Sequence, residues 1–418
     1  MNQELLERLA ELSKQATGFI YPNDLDVHWS IMIVLYPYLT GLVAGAFILA
    51  SLVKVFNVKE VQPTYKLSLL TALAFLLIAP LPLQLHLGRP ERAYEIFLTP
   101  NPSSAMAMFG FVYLWYLMVV LLLEVWFAYR RDLILLAQRE RGLMRWIHRA
   151  LALFSTDVSE EAVRFDRKAV KAITIIGIPS AFLLHGYVGF IFGSIKANPW
   201  WSSVLLPIVF LFSAIVSGIA LVILLYMIIT PLRGERIDMA CLDRMASFLF
   251  YAVVVDFSLE CLDFIHRLYE SEESIKILSV LVLDKLMISL VVLQVLLGMV
   301  LPFGIMVLIK LLNLHEELRR LLYFASAILI QLGIFCTRWN VVIGGQMFSK
   351  SFRGLTTYKM DLIGIEGLLA AMAILALPFI VLAVLLKLLP PWDTAEEQAL
   401  AGGGMGAPKA AAVPLTPV

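Results

Sequence analysis

Between two long apolar runs, residues 80–104 bring a histidine, two arginines and several prolines together in one short segment. Its centre reads His86-Leu-Gly-Arg89-Pro, followed shortly by Tyr94. Imidazole both donates and accepts hydrogen bonds near neutral pH, and a guanidinium stabilises developing negative charge. Beside apolar runs, such groups are costly unless they face protein or a polar cavity. The segment therefore predicts the edge of a binding pocket.

The rest of the chain is strongly apolar. Its 418 residues are 60% hydrophobic and 16% charged, with a mean hydropathy of +0.85, which is typical of an integral membrane protein of several helices. A membrane-crossing helix needs about 20 apolar residues. Apolar spans of about this length or longer lie at 30–53, 66–87, 104–129, 170–194, 203–230, 244–266, 276–311, 320–340 and 362–388. The seventh is long enough for Gly298 and Pro302 to divide it. We therefore expect an all-α integral membrane protein with nine or ten transmembrane helices.

Three regions are predicted along the chain. Residues 1–29 form an amphipathic N-terminal segment, residues 30–388 the transmembrane domain, and residues 389–418 a disordered Ala/Gly/Pro-rich tail. Within the first and fifth spans, Gly41-Leu-Val-Ala-Gly45 resembles Ala214-Ile-Val-Ser-Gly218. Small residues four apart let helices approach closely. The likeness indicates either a repeat of four-helix units or ordinary close packing.

Positive charge is distributed unequally over the loops. Alternate loops and the C-terminal tail hold about two thirds of the 33 Lys and Arg residues. Because cytoplasmic loops are enriched in these residues, this side is predicted to be cytoplasmic. The N-terminus and residues 86–104 then face outward, towards a periplasm.

This orientation assigns almost every costly polar residue to the outer half of the membrane. They are His28, His86, Arg89, His185, Glu260, Asp263, His266, Arg338 and Asn340, and Asp256 lies near mid-membrane. Asp256 and Glu260 are four residues apart and share one helix face. Ionisable groups at such depth indicate a ligand site or a proton route, although a pairing with Arg338 that only fixes helix positions is the alternative. Glu124, nearer the cytoplasmic end, is expected to extend its carboxylate towards water.

Other classes of site are disfavoured. The three cysteines, Cys241, Cys261 and Cys336, are scattered and contain no CxxC pair, so no metal or iron–sulfur site of the chain's own is expected. A net charge of +1 gives no reason to expect nucleic-acid binding.

Three stretches resemble a known family. The segment from His86, followed by Leu98-Thr-Pro-Asn-Pro-Ser-Ser, resembles the signature of the NrfD/PsrC family of respiratory membrane subunits. His185-Gly-Tyr-Val-Gly and the stretch Arg338-Trp-Asn-Val-Val-Ile-Gly-Gly-Gln346 resemble its longer branch, which includes HybB-, DsrP- and QrcD-type subunits. Within this branch the resemblance favours a QrcD-like or DsrP-like subunit.

The resemblance implies quinone chemistry, with menaquinone as a bound substrate and no haem or iron–sulfur cluster in this chain. It implies a multi-pass subunit of the bacterial inner membrane whose quinone site faces the periplasm. Partners would be a periplasmic ferredoxin-like [4Fe–4S] subunit and a molybdopterin-type or multihaem cytochrome c subunit. The residues assigned to quinone binding are His28, His86, Arg89, Tyr94, Arg338 and Asn340. Those assigned to proton transfer are Asp256, Glu260 and His185.

A b-type cytochrome and a secondary transporter are the two alternative functions. A b-type cytochrome needs histidine pairs on facing helices, and one haem near the outer side fits the positions of the histidines. A secondary transporter places broken helices and binding residues near the midplane, whereas these residues lie further out. A pure anchor without chemistry is disfavoured because so many ionisable residues lie within the apolar spans.

Overall fold

The computed structural model describes residues 27, 29–270, 274–348 and 355–392, and over these residues the chain is helical without a β-strand. In chain order the helices are α1 (Ile31–Lys54), α2 (Tyr65–Ile78), α3 (Leu81–His86), α4 (Glu95–Leu98), α5 (Ala105–Arg139), α6 (Gly142–Leu151), α7 (Glu160–Gly193), α8 (Leu206–Leu232), α9 (Met239–Glu270), α10 (Ile275–Leu311), α11 (Glu316–Gly344) and α12 (Leu368–Leu388). The amphipathic N-terminal segment, His28 and most of the C-terminal tail lie outside the described residues.

The expected fold class is confirmed. Eight helical stretches among the described residues are long and apolar enough to cross a membrane. The predicted span at 244–266, which is not among those eight, is helical within α9, a helix of 32 residues. The long α10 continues through Gly298 and Pro302 as one helical element of 37 residues, so these two residues do not divide it.

Helix α1 lies at the centre of the fold. Its residues are buried on all sides, as expected for a helix that is apolar around its whole circumference. It packs against α2, α7 and α8, while α5 packs on α7. Helices α8, α9, α10 and α11 form the neighbouring group, and α12 packs against α2. The contact between α1 and α8 joins the two groups of helices.

The two small-residue motifs meet at that junction. A Cβ atom added to Gly45 would collide with the carbonyl oxygen of Ala214, and one added to Gly218 would collide with the Cα atom of Gly45. The backbones of α1 and α8 therefore approach as closely as small residues allow. The likeness between the two motifs is at least a packing feature, because each motif fits against the other.

The loops separate into two groups at opposite ends of the helices. At one end, Trp29 stacks on Trp201 with ring centroids 5.5 Å apart, and the indole of Trp200 donates to the carbonyl oxygen of Asn340. We call this the motif end, and it comprises residues 29–31, 80–104, 194–205, 340–348 and 355–367. At the other end, Lys66 pairs with Asp132 and Arg319 with Asp243. We call this the basic end, and it comprises residues 54–66, 129–171, 231–244, 311–320 and 386–392.

Glu124 corrects one sequence-based expectation. Its side chain is fully buried rather than extended towards water. The Thr174 hydroxyl donates to its Oε1 atom at 2.8 Å, and the Tyr65 hydroxyl donates to the same atom at 3.3 Å. Hydroxyl donors from α2 and α7 therefore replace water at one of the two carboxylate oxygens, which spacing along a single helix does not reveal.

Substitution of Gly218 by alanine tests the α1–α8 contact. The new methyl group forces the backbones apart, and overpacking of this kind costs about 1–3 kcal/mol. We expect a lower midpoint of thermal unfolding for the purified protein in detergent. Gly304→Ala is the matched control, because beyond its own stretch of helix no described residue lies within 4 Å of its added Cβ atom. Equal midpoints for the two variants would contradict the close contact.

Candidate functional site

A fully buried ionic and aromatic cluster lies where the two helix groups meet. The guanidinium of Arg338 on α11 donates through Nη2 to Ser213 Oγ at 2.6 Å and to His185 Nε2 at 3.1 Å. Its Cζ atom lies 4.1 Å from the centroid of the Phe210 ring, on which the His185 ring also stacks. The cation–π contact and the hydrogen bonds together stabilise the positive charge of the guanidinium, which is shielded from water.

These contacts define the tautomer of His185. Because arginine only donates hydrogen bonds, Nε2 of His185 is the acceptor and the proton resides on Nδ1. The Nδ1 atom faces Thr40 Oγ1 at 3.4 Å, and the Thr40 hydroxyl donates to the carbonyl oxygen of Tyr36 at 3.0 Å. The imidazole is therefore neutral and connects Arg338 to the backbone of α1.

Two acids on α9 lie close enough to Arg338 to interact with it electrostatically. They are Asp256, which is buried, and Glu260, one helical turn nearer the motif end. Within the described part of the chain, Asp256 Oδ1, Glu260 Oε1 and the Nε and Nη1 atoms of Arg338 have no hydrogen-bond partner. Buried donors and buried acceptors that lack hydrogen-bond partners therefore lie close together. Such unpaired buried groups are uncommon in proteins and indicate a functional site.

A second chain of hydrogen bonds begins at Glu260. The Gln294 amide donates to Glu260 Oε2 at 2.9 Å, and the Asn340 amide donates to Gln294 Oε1 at 2.7 Å. The Ser289 hydroxyl donates to Asn340 Oδ1 at 2.6 Å. Gln294 and Asn340 both lie in wider π-helical segments, at Leu281–Val300 of α10 and Asn340–Gly344 of α11. Such segments often occur at functional sites, because they redirect side chains.

A cavity of about 520 Å³ lies beside this series of hydrogen-bonded side chains. It lies between the motif-end halves of α8, α9, α10 and α11. Its walls are mostly apolar, and the polar groups that reach it include Glu260, Gln294 and Asn340. A volume of roughly 300–1,000 Å³ with an apolar lining and a few directed polar groups is characteristic of small-molecule sites.

The rim of the cavity is held by Arg267 near the end of α9. Its guanidinium donates to the backbone carbonyl oxygens of Pro199 and Trp200 at 2.7 and 2.9 Å, and to Asp263 Oδ2 at 2.9 Å. The Ser203 hydroxyl donates to the other oxygen of Asp263. These bonds fix the loop between α7 and α8 against α9.

The segment at 86–104 lies apart from this cavity. His86 Nδ1 pairs with Glu366 Oε2 at 2.9 Å, whereas Arg89 is exposed and Tyr94 is 59% exposed. None of these three residues lines the cavity among the described residues. Their assignment to quinone binding, like that of His28, stays a prediction.

Part of that segment has a local structural role. Asn101 Oδ1 accepts from the backbone N–H of Ser103 at 3.1 Å, which forms an Asx turn. Ser104 is the N-cap of α5 and accepts from the Ala107 N–H at 3.3 Å. The Pro-Asn-Pro-Ser-Ser sequence thus turns the chain and starts the next helix.

The structure brings five of the predicted site residues into one region: His185, Asp256, Glu260, Arg338 and Asn340. Sequence reasoning missed Gln294, Ser213 and Phe210. A lone glutamine in an apolar span was a usable signal, because an amide needs partners there. Ser213 and Phe210 gave no such signal, since serine and phenylalanine are common in transmembrane helices for packing alone.

These features define a class: a multi-helix membrane protein with a buried polar cluster beside an apolar cavity. The chain matches the family model described as "Polysulphide reductase, NrfD" over residues 22–350. It belongs to the NrfD family, which confirms the resemblance found in its motifs. The finer likeness to QrcD- or DsrP-type subunits stays a prediction.

Individual relatives agree with this assignment. A selenate reductase subunit of Mesobacillus selenatarsenatis is 32% identical over 343 residues, which cover 80% of this chain and 77% of that protein. Protein NrfD of Escherichia coli is 26% identical over 199 residues, 47% of this chain and 58% of its own length. The Hdr-like menaquinol oxidoreductase integral membrane subunit of Archaeoglobus fulgidus is 25% identical over 197 residues, 47% of this chain and 41% of its own. The chain is a membrane subunit of an oxidoreductase complex.

Replacement of Arg338 by glutamine tests the buried cluster. The change leaves two acids without their counter-charge, and removal of one partner from a buried charge arrangement costs about 3–5 kcal/mol. We expect a large fall in the thermal midpoint of the purified protein and a smaller one for Ser213→Ala, at about 1–3 kcal/mol. Arg236→Gln, at an exposed position of the basic end, is the control. An unchanged midpoint for the Arg338 variant would show that the acids do not depend on it.

Proposed function

We propose that this subunit exchanges electrons between a menaquinone-type quinone and an iron–sulfur partner subunit of its complex. The observation that carries the proposal is the cavity of about 520 Å³ whose apolar walls end at Glu260, Gln294 and Asn340. A quinone ring needs a flat apolar slot and polar groups at its two carbonyl oxygens. The menaquinol named for the Archaeoglobus relative supports the choice of quinone class.

The residues present fit such a substrate. Asn340 and Gln294 each use one amide N–H in the internal chain, so each keeps a second N–H for a carbonyl oxygen. Glu260 Oε1 is buried without a hydrogen-bond partner among the residues that the structure describes, and it can hold a proton. The quinone itself supplies two-electron, two-proton chemistry.

Proton movement is assigned to the buried acids. Asp256 lies one turn deeper than Glu260 on the same face of α9, so a proton held at one carboxylate has an acceptor at the other. Arg338 lies close enough to both acids to act as the counter-charge of either carboxylate. Neutral His185 orients that guanidinium by accepting from Nη2. Translocation of protons across the membrane is an extension of this proposal.

Sidedness and partners are part of the same proposal. The basic end is assigned to the cytoplasm by the excess of Lys and Arg. The motif end, with the cavity in its half of the helices, then faces the periplasm. A ferredoxin-like [4Fe–4S] subunit is proposed to dock there, with a molybdopterin-type or multihaem cytochrome c subunit beyond it. A haem is less well matched, because Nε2 of His185 accepts from Arg338 and His86 pairs with Glu366.

A pair of adjacent valines on α10 tests the position of the quinone. Val291 lines the cavity, whereas Val292 is 37% exposed on the outer face of the same helix. Val291→Phe narrows the cavity, so we expect the KM for quinol to rise at least about tenfold, equal to roughly 1.4 kcal/mol. Val292→Phe adds the same volume outside and is expected to leave KM unchanged. Steady-state kinetics of the purified complex with a soluble quinol measure both.

Glu260→Gln tests the proton role separately. The amide keeps the shape of the side chain but cannot exchange a proton, and a positioned acid or base typically contributes about 100-fold or more. We expect kcat to fall by about that factor while the partner subunits still co-purify. Full activity in Glu260→Gln and in Val291→Phe, together with a loss of activity in Arg89→Ala, would move the quinone from the cavity to the 86–104 segment.

A further inference from the structure

The connection between α5 and α7 carries a short helix, α6, that is fixed to the basic end by one side only. His148 is buried, with Nδ1 2.6 Å from Glu140 Oε2 and Nε2 2.9 Å from the carbonyl oxygen of Leu388. The indole of Trp126 on α5 donates to the carbonyl oxygen of Leu151 at 3.1 Å. These contacts hold α6 against α5 and against the C-terminal end of α12.

The opposite side of α6 is apolar and open. Leu143 is 75% exposed and Trp146 is 61% exposed. Arg145 and Arg149 are four residues apart and share one edge of the helix, Arg141 directly precedes its first turn, and all three are exposed. An apolar stripe bordered by arginines is the pattern of a helix that lies in a membrane interface.

Leu153 and Phe154, which follow α6, extend the apolar stripe in a backbone conformation that is unfavourable for both residues. Leu153 and Phe154 both have positive φ angles, 51° and 59°, a region that residues with a Cβ atom disfavour. Their side chains are 69% and 60% exposed. This turn caps the C-terminus of α6, because the Phe154 N–H donates to the carbonyl oxygen of Arg149 at 2.9 Å. Glycine would form the same cap without strain, so the cap itself does not require two large apolar side chains here. Such strain is commonly retained where it serves a contact.

The charge near α6 indicates what covers it. Four arginines and one carboxylate lie within residues 139–149, and that carboxylate, Glu140, is engaged by His148. The surface therefore favours negatively charged groups placed directly beside apolar ones. The head-group layer of a bilayer that contains anionic phospholipid provides both at the depth where membrane-crossing helices end.

We propose that α6 with Leu153 and Phe154 is an interfacial anchor that inserts its apolar side chains at the acyl boundary and binds anionic phospholipid head groups through Arg141, Arg145 and Arg149. The proposal rests on the membrane location of the chain and does not depend on the quinone. It assigns a lipid-binding function to a part of the subunit remote from the cavity.

Trp146 provides the probe. The whole complex is reconstituted into nanodiscs of phosphatidylcholine with a fixed fraction of lipid brominated near the glycerol end of its acyl chain, either phosphatidylglycerol or phosphatidylcholine. The signal of Trp146 is taken as the difference between the wild type and Trp146→Phe. We expect brominated phosphatidylglycerol to quench this difference several-fold more strongly than the same fraction of brominated phosphatidylcholine.

Three variants separate the parts of the proposal. Arg145→Gln with Arg149→Gln is expected to remove the preference for phosphatidylglycerol. The control, Arg233→Gln with Arg236→Gln in another loop of the same end, is expected to keep it. Phe154→Gly removes the strain of a positive φ angle at a residue with a Cβ atom. If Phe154 has only a structural role, thermal stability stays the same or rises and the quenching of Trp146 is unchanged. The proposal predicts the same stability with weaker quenching.

Three other outcomes of the quenching experiment would contradict the proposal. If neither brominated lipid quenches the Trp146 signal, α6 does not lie in the interface. If both lipids quench it equally and the double variant changes nothing, the arginines do not select anionic head groups. If quenching appears only after partner subunits are removed, a protein surface rather than lipid covers α6.

Discussion

One buried guanidinium organises the site. Arg338 is fully buried, and three other helices replace part of its hydration. Helices α7 and α8 supply an imidazole nitrogen, a hydroxyl and an aromatic face, and α9 places two carboxylates nearby. The packing of α8 against α1, α7, α9 and α11 brings these groups to one depth. Loss of that packing would leave the charge without partners, so the fold and the polar cluster depend on each other.

The π-helical segments extend this dependence to the cavity. A regular α-helix repeats its side-chain directions every 3.6 residues on average. Wider turns at Leu281–Val300 and Asn340–Gly344 change that register and let Gln294 and Asn340 bond to each other and to Glu260. Regular α-helical faces thus form the apolar wall of the cavity, and the π-helical segments contribute polar groups to its lining. This division suits a ligand with an apolar ring and polar edges.

Hydropathy and charge predicted the helical membrane fold, the approximate helix positions and the grouping of loops at two ends. They also predicted that polar groups on α7, α9 and α11 share one half of the bundle, because alternation of helix direction follows from counting spans. They did not predict where the cavity lies, since that depends on π-helical register and on helix contacts. The 86–104 segment shows the limit most clearly: its composition indicates a pocket, yet part of it forms a turn and an N-cap.

Photoaffinity labelling of the intact complex with an azido-quinone locates the quinone site on the chain. If quinone binds in the cavity, the labelled peptides come from residues 257–267, 282–295 or 337–341, and excess unlabelled quinone prevents the labelling. Label confined to residues 86–98, or label that excess quinone does not displace, would contradict a quinone site beside Glu260 and Asn340.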